Sequence, residues 1–253
     1  MPILDRNGVP IYYEVHGSGP AVLLTHGYSA TSEMWKPNMA VLPQRYRLVL
    51  WDMRGHGQTD SPNDPAAYSE EATVGDMVAL LDTHGVKQAV IGGLSLGGYM
   101  SLAFHLVYPE RVKALMVFDA GPGFRKDSPR EAWNRRAEAT ARALETKGLA
   151  ALGGSAEVLA SHHRSPQGLA HAARGMLAQR DSRVIDSLAS IKVPTLVLAG
   201  AKDEPFLAAT DYMANKIPGA MKVLIPDAGH AANIDQPEEF NRAVLAFLER
   251  VWL

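Results

Sequence analysis

Residues Gly93-Leu94-Ser95-Leu96-Gly97 constrain what this chain can fold into more than any other stretch. An apolar run ending in Ala89-Val90-Ile91-Gly92 leads into them, and Gly98-Tyr99-Met100-Ser101-Leu102-Ala103-Phe104 leads out. The pattern is strand, tight turn, helix, with a glycine two residues to either side of one serine. A strand that turns sharply into a helix brings its two arms together, so a side chain at either glycine would collide with the other arm. The same turn holds the serine at strained backbone angles with its hydroxyl raised above a sheet. The new helix then points its N-terminal amides toward that hydroxyl. Such a pentapeptide also fits an ordinary strand-to-helix turn, so its meaning depends on its surroundings.

Those surroundings alternate between strands and helices. Ala21 to Thr25, Tyr46 to Trp51, Gln88 to Gly92, Ala114 to Phe118, Thr195 to Ala199 and Met221 to Ile225 are short apolar runs without strict alternation. They read as strands covered on both faces, as in a parallel sheet. Ile11 to Val15 is more polar and suits an antiparallel edge. Helical spacing appears over Ser69 to His84, Leu96 to Tyr108, Leu207 to Lys216 and Pro237 to Val251, the last with Pro237 near its first position. This order predicts an α/β fold with right-handed crossovers.

From about Gly121 to Ile191 no strand is expected. Arg130 to Gly148 is alanine-rich and helical in character, and Gly153-Gly154 and Ser165-Pro166 punctuate further helical pieces. An insertion of roughly 65 residues is longer than an ordinary connection. Residues 1–120 and 192–253 are therefore read as the core, and 121–191 as a helical cap over the sheet edge where ligands of open α/β sheets bind.

The bulk properties narrow the field. The 253 residues suffice for one substantial core, and 25 basic against 27 acidic residues give a net charge of −2. That balance argues against a nucleic-acid partner. The absence of cysteine rules out disulfides, thiolate metal sites and cysteine nucleophiles. No basic segment followed by an apolar core opens the chain, and no apolar run approaches the ~18 residues of a membrane span. A cytoplasmic protein with no membrane partner is expected.

A serine hydroxyl is a weak nucleophile. It needs a base for its proton and a third group to orient that base. Two later strands end in residues of those types. Leu196-Val197-Leu198-Ala199 runs into Gly200-Ala201-Lys202-Asp203-Glu204, and Val223-Leu224-Ile225 runs into Pro226-Asp227-Ala228-Gly229-His230. Negative charge on a substrate oxygen also needs two facing backbone amides. Leu96, after the serine, can supply one. The loop Thr25-His26-Gly27-Tyr28 can supply the other from Tyr28, with Gly27 allowing close approach.

Taken together, His26-Gly27-Tyr28, Asp52-Met53-Arg54-Gly55-His56-Gly57-Gln58-Thr59, Gly93-Leu94-Ser95-Leu96-Gly97-Gly98, Asp203 and Gly229-His230 resemble the α/β-hydrolase superfamily across essentially the whole chain. Within it, the serine segment is similar to small esterases and 3-oxoadipate enol-lactonase-like hydrolases. The resemblance implies Ser95 as nucleophile, Asp203 as orienting acid and His230 as general base. The Asp52–Thr59 loop, with Thr59 where the family has serine, is implied to be structural. Asp203 fits the family pattern better than its neighbour Glu204. Asp119, after the strand ending in Phe118, is a fallback acid.

A serine rather than an aspartate nucleophile makes acyl transfer the default, with neither metal nor organic cofactor. The expected partner is a small-molecule ester or lactone. Carbon–carbon bond hydrolysis and non-catalytic ligand sensing are the remaining alternatives. Gly27, Trp35, Phe124 and Phe206 are candidate substrate contacts, as are Trp133, Leu152, Leu159, Leu169, Met176 and Leu177 in the cap. An anionic substrate would need a basic pocket residue, for which Arg125, Lys126, Arg135 and Arg136 are candidates. His162-His163 reads as a solvated pair, since adjacent helical residues point about 100° apart.

Overall fold

The computed structural model describes residues 2–252. Eight strands form one sheet: β1 (Ile3–Arg6), β2 (Val9–His16), β3 (Ala21–Thr25), β4 (Arg47–Trp51), β5 (Ala89–Leu94), β6 (Val112–Phe118), β7 (Thr195–Gly200) and β8 (Met221–Ile225). Their spatial order is β1-β2-β4-β3-β5-β6-β7-β8. The pairs β1–β2 and β2–β4 are antiparallel and all others parallel. This is the α/β-hydrolase fold anticipated from the sequence.

The central strands β3, β5, β6 and β7 are almost wholly buried, which is why their residues are apolar at successive positions rather than at alternate ones. The two edges depart from expectation. Ile11 to Val15 is not the edge: it belongs to the longer β2, and β1 lies outside it. Asn7 and Gly8 join β1 to β2 with φ of 56° and 81°, the left-handed pair that a two-residue hairpin turn requires. At the other edge, β8 was expected to be covered on both faces. Instead Lys222 and Leu224 face solvent while Met221, Val223 and Ile225 turn inward.

Nine α-helices occur among the described residues: α1 (Glu70–Thr83), α2 (Leu96–Val107), α3 (Asp127–Lys147), α4 (Ala156–Leu159), α5 (Pro166–Ala172), α6 (Arg183–Ser187), α7 (Glu204–Lys216), α8 (Ala232–Asp235) and α9 (Pro237–Val251). Ser69 caps α1 by accepting from the Ala72 amide at 3.0 Å. The chain from β6 to β7 is strandless and carries α3 to α6, with one wide π-type turn at Ala173–Leu177. Among the described residues no helix is long and apolar enough to cross a membrane.

Each face of the sheet has its own core. On one, Leu23, Val49, Ile91, Leu115 and Val197 meet α1 and α2 through Met77, Leu80, Met100 and Phe104. On the other, Leu24, Leu50, Val90, Met116 and Leu198 meet α9 through Phe240, Val244, Phe247 and Leu248. Trp35 belongs to this second core and is fully buried, 6.1 Å from the Phe118 ring and 6.4 Å from the Phe240 ring. The expectation that it contacts substrate is thereby corrected. A large flat ring in a sealed aromatic cluster is a packing residue.

Candidate active site

The serine sits where the turn predicts. Ser95 has φ 55° and ψ −115°, a strained conformation for a residue with a side chain, and its amide extends the β5–β6 ladder by donating to Phe118 O at 2.9 Å. The flanking glycines are required by space. A Cβ on Gly93 would lie 2.5 Å from the Gly97 carbonyl carbon, and one on Gly97 would lie 2.2 Å from Thr25 O.

Asp203 and His230 lie beyond the C-terminal ends of β7 and β8, at the same end of the sheet as Ser95. Asp203 occupies the position before α7 but makes no cap with its side chain. Its Oδ2 accepts instead from His230 Nδ1 at 2.9 Å. In the neutral imidazole that bond places the proton on Nδ1, and the Nε2 lone pair is then free. The Phe206 ring lies 5.0 Å from the imidazole, tilted by 31°. No hydrogen bond joins Ser95 Oγ to His230.

Glu204 opens α7 and points away, exposed to solvent. Asp119 is fully buried with φ 44°. Its Oδ1 accepts from the Gly200 amide at 2.7 Å, and its Oδ2 has no hydrogen-bond donor facing it. Burial, reinforced by the nearby Asp203 carboxylate, pushes the Asp119 carboxyl well above the usual carboxylate range. Asp119 therefore stands behind Asp203, and it is Asp203 that meets the histidine.

The amides of Leu96 and Tyr28 donate to no other protein group. The loop carrying Tyr28 is fixed from several sides. His26 Nδ1 donates to Gly27 O at 2.7 Å, and His26 Nε2 accepts from the Met53 amide at 2.9 Å. Complete burial lowers the His26 pKa to about 3, so this ring is neutral. Tyr28 Oη donates to Leu169 O in α5 at 2.8 Å. Gly27 lies against Leu94 and Ser95 and does not line the cavity described next.

A cavity of about 310 Å³ opens at Ser95 and Leu96. Its walls come from the β6–α3 loop (Gly121 to Phe124), from α3 (Trp133, Arg136), from Leu177 and Gln179, and from α7 (Pro205, Phe206, Ala209). Phe124, Phe206, Trp133 and Leu177 are thus where the sequence suggested. Leu169 and Met176 are instead buried in core clusters, Leu152 packs on the smaller of these, and Leu159 is 72% exposed. Of the basic candidates, Arg136 lines the cavity, whereas Arg125 pairs with Asp186 at 2.6 Å and Arg135 with Glu131 at 3.9 Å. Lys126 precedes α3 outside the cavity.

Tyr99 and Gln179 are wall residues that sequence reasoning missed. Tyr99 could have been found, being one helical turn beyond Ser95. Gln179 had no local signal. His163 is also corrected: it is not a solvated partner of the exposed His162. It accepts from the Gly57 amide at 3.2 Å and donates to Ser29 O at 2.9 Å, tying the helical segment to two loops of the core.

The turn, the sheet order and the residues gathered at the strand ends define an α/β-hydrolase. Residues 22–243 match the alpha/beta hydrolase family, and the chain belongs to it. Among its relatives is 3-oxoadipate enol-lactonase 1 of Acinetobacter baylyi, 30% identical, with 98% of this chain and 97% of that protein aligned. A thermophilic esterase from Thermogutta terrifontis, solved with malate bound, superposes with a TM-score of 0.84 at 30% identity, covering 98% of this chain and 97% of that one. The enol-lactonase from Burkholderia xenovorans superposes with a TM-score of 0.78 at 26% identity, covering 98% and 100%.

Proposed function

We propose that this protein is a serine hydrolase that cleaves carboxylic ester bonds of small or medium substrates through an acyl-enzyme. The observation that carries the reading is the 2.9 Å bond from His230 Nδ1 to Asp203 Oδ2, which leaves Nε2 free at the strand ends that also carry Ser95. Ser95 Oγ attacks the ester carbonyl carbon and its proton passes to His230 Nε2. The electron pair displaced onto the carbonyl oxygen is held by the Leu96 and Tyr28 amides, each worth ~3 kcal/mol to such a transition state. Collapse breaks the ester C–O bond, and His230 returns the proton to the departing alcohol oxygen. Water then repeats the sequence, releasing the acid and restoring Ser95.

In this reading residues 121–191 serve as a cap. Trp133, Arg136, Leu177 and Gln179 from that segment face the α7 residues across the cavity, which supports the assignment. A cyclic ester would follow the same chemistry, and the enol-lactonase of Acinetobacter baylyi favours lactones as the second reading.

Hydrolysis of p-nitrophenyl esters from acetate to decanoate, beside a panel of simple lactones, tests both. The expected outcome is turnover that Ser95→Ala lowers at least ~10⁴-fold without unfolding the protein. Near-wild-type turnover in that variant would remove Ser95 as nucleophile.

A further inference from the structure

Two of the five polar side chains in the cavity wall already have protein partners. Tyr99 Oη donates to Glu70 Oε2 at 2.8 Å, and Trp133 Nε1 donates to Leu177 O at 2.8 Å. Ser95 is assigned to the reaction. Gln179 and Arg136 are left over, and no described Asp or Glu lines the cavity to neutralise the guanidinium.

Gln179 is only 9% exposed, yet its Oε1 is buried without a hydrogen-bond partner. Its backbone is clamped at both ends by one side chain: the Gln179 amide donates to Asn134 Oδ1 at 2.8 Å, and Asn134 Nδ2 donates to Gln179 O at 2.8 Å. The carboxamide is thus carried into the wall on a fixed stem. It lies over Gly123, where a Cβ would come within 2.8 Å of Oε1 and 3.3 Å of Tyr99 Cε2. Rotating the amide about its last bond offers either its oxygen or its NH₂ to the cavity.

Arg136 differs from the arginines around it. Arg125, Arg130, Arg135 and Arg142 each lie within ion-pair distance of a carboxylate, at Asp186, Asp127, Glu131 and Glu138. Among the described residues Arg136 has no such partner; it is solvent-exposed and is the one cation of that set lining the cavity. The remaining lining, including Phe124, Leu177, Pro205 and Phe206, is apolar. An apolar channel with a reactive serine, one free guanidinium and one free amide suits a short chain that carries a carboxylate.

We propose that Arg136 and Gln179 form a carboxylate-binding subsite, and that the preferred substrates are esters bearing a second, free carboxylate, such as half-esters of short dicarboxylic acids. The guanidinium takes the carboxylate oxygens, the Gln179 NH₂ adds a third donor, and the methylenes lie along the apolar wall. Which end of the ligand reacts rests on the Ser95 reading above, whereas the subsite itself does not.

The test uses two near-isosteric esters, monomethyl glutarate and methyl 5-methylhexanoate, which differ by a carboxylate in place of an isopropyl group. Their affinities for Ser95→Ala protein are measured by calorimetry, then repeated with Arg136→Gln, Arg136→Lys or Gln179→Leu added. Monomethyl glutarate is expected to bind at least ~10-fold tighter, with that preference cut at least ~5-fold by Arg136→Gln and by Gln179→Leu and partly kept by Arg136→Lys. Equal affinity for the two esters, or a preference that neither Arg136→Gln nor Gln179→Leu changes, overturns the subsite. If the preference is found but the wild-type protein hydrolyses neither ester, the subsite stands and the serine mechanism falls.

Discussion

At the scale of single residues, two groups show how strictly the site is built. Gly97 has no room for a methyl group, since its Cβ would sit 2.2 Å from Thr25 O, whereas Gly154 has open space around it. Gly97→Ala is therefore expected to cost several kcal/mol or prevent folding, and Gly154→Ala to lie within ~0.5 kcal/mol of wild type, as read by urea unfolding. Equal effects would mean that the turn can relax. Asp119 gives a second prediction, in pH. Its folded-state pKa is raised, chiefly by burial, so between the unfolded value of ~3.9 and the folded one the native state holds a proton that the unfolded chain lacks. Its contribution to stability is full below the unfolded value and is lost as pH rises through the folded one. Asp119→Asn keeps an acceptor for the Gly200 amide and has no proton to lose. Its stability relative to wild type should rise from pH 5 to pH 8, by up to ~1.4 kcal/mol per pH unit until Asp119 ionises. A flat difference would mean that Asp119 is already charged in the fold. That Ser95, Asp203 and His230 lie at one end of the sheet was legible because each follows a strand. Trp35 was misread because nearness in sequence to an active-site loop does not reveal which side of a sheet a ring enters.

At the scale of elements, the loops after β3 and β4 are held to the α4–α5 connection by three histidines whose rings meet at an angle. The His26 and His56 rings lie 5.0 Å apart, and His56 and His163 5.8 Å apart. Burial lowers the pKa of His26 to about 3, that of His56 well below its ordinary value, and that of His163 in the same direction. Below pH ~6.5 the unfolded chain takes up protons that these rings refuse, so stability must fall as pH falls. His56 Nε2 is buried without a partner, which makes His56→Leu the cleanest probe. Between pH 6.5 and pH 4 the wild type should lose up to ~1.4 kcal/mol per pH unit relative to that variant. Parallel stability curves for the two proteins would show that the ring is protonated without strain. The central strands were readable because burial on both faces leaves an unbroken apolar run, but the edges were not. At β8 an alternating pattern was hidden among hydrophobic residues, and at β1 the Asn7-Gly8 signal for a hairpin went unused. The staples from the helical segment had no local signature at all, since His163 looks like its solvated neighbour until the chain is folded.

At the scale of the whole molecule, the proposed catalytic groups come from three different strand ends, so their spacing is only as firm as the sheet that carries them. Helices on one face cannot secure that spacing alone, because β6 and β7 would be free to shift on the other. The second face is closed by an aromatic cluster in which Phe118, Trp35 and Phe240 come from β6, from the turn after β3 and from α9. The Phe118 and Phe240 rings meet edge to face at 4.8 Å. Phe118 directly precedes Asp119, and its carbonyl accepts from the Ser95 amide, so this cluster buttresses both halves of the site from beneath. Phe240 lies outside the cavity and touches none of the reacting groups. Phe240→Ala should therefore separate stability from chemistry. The cavity it leaves is expected to cost ~3–5 kcal/mol and to lower the melting temperature by ~6–20 °C. At 20 °C the folded fraction should keep its turnover number within about twofold. Calorimetric melts beside ester hydrolysis, both normalised to folded protein, measure the two effects on one sample. A loss below ~1 kcal/mol would mean that the cluster rearranges to fill the gap. A collapse in turnover with an intact melt would mean that α9 sets the geometry of the site directly, rather than through the stability of the sheet.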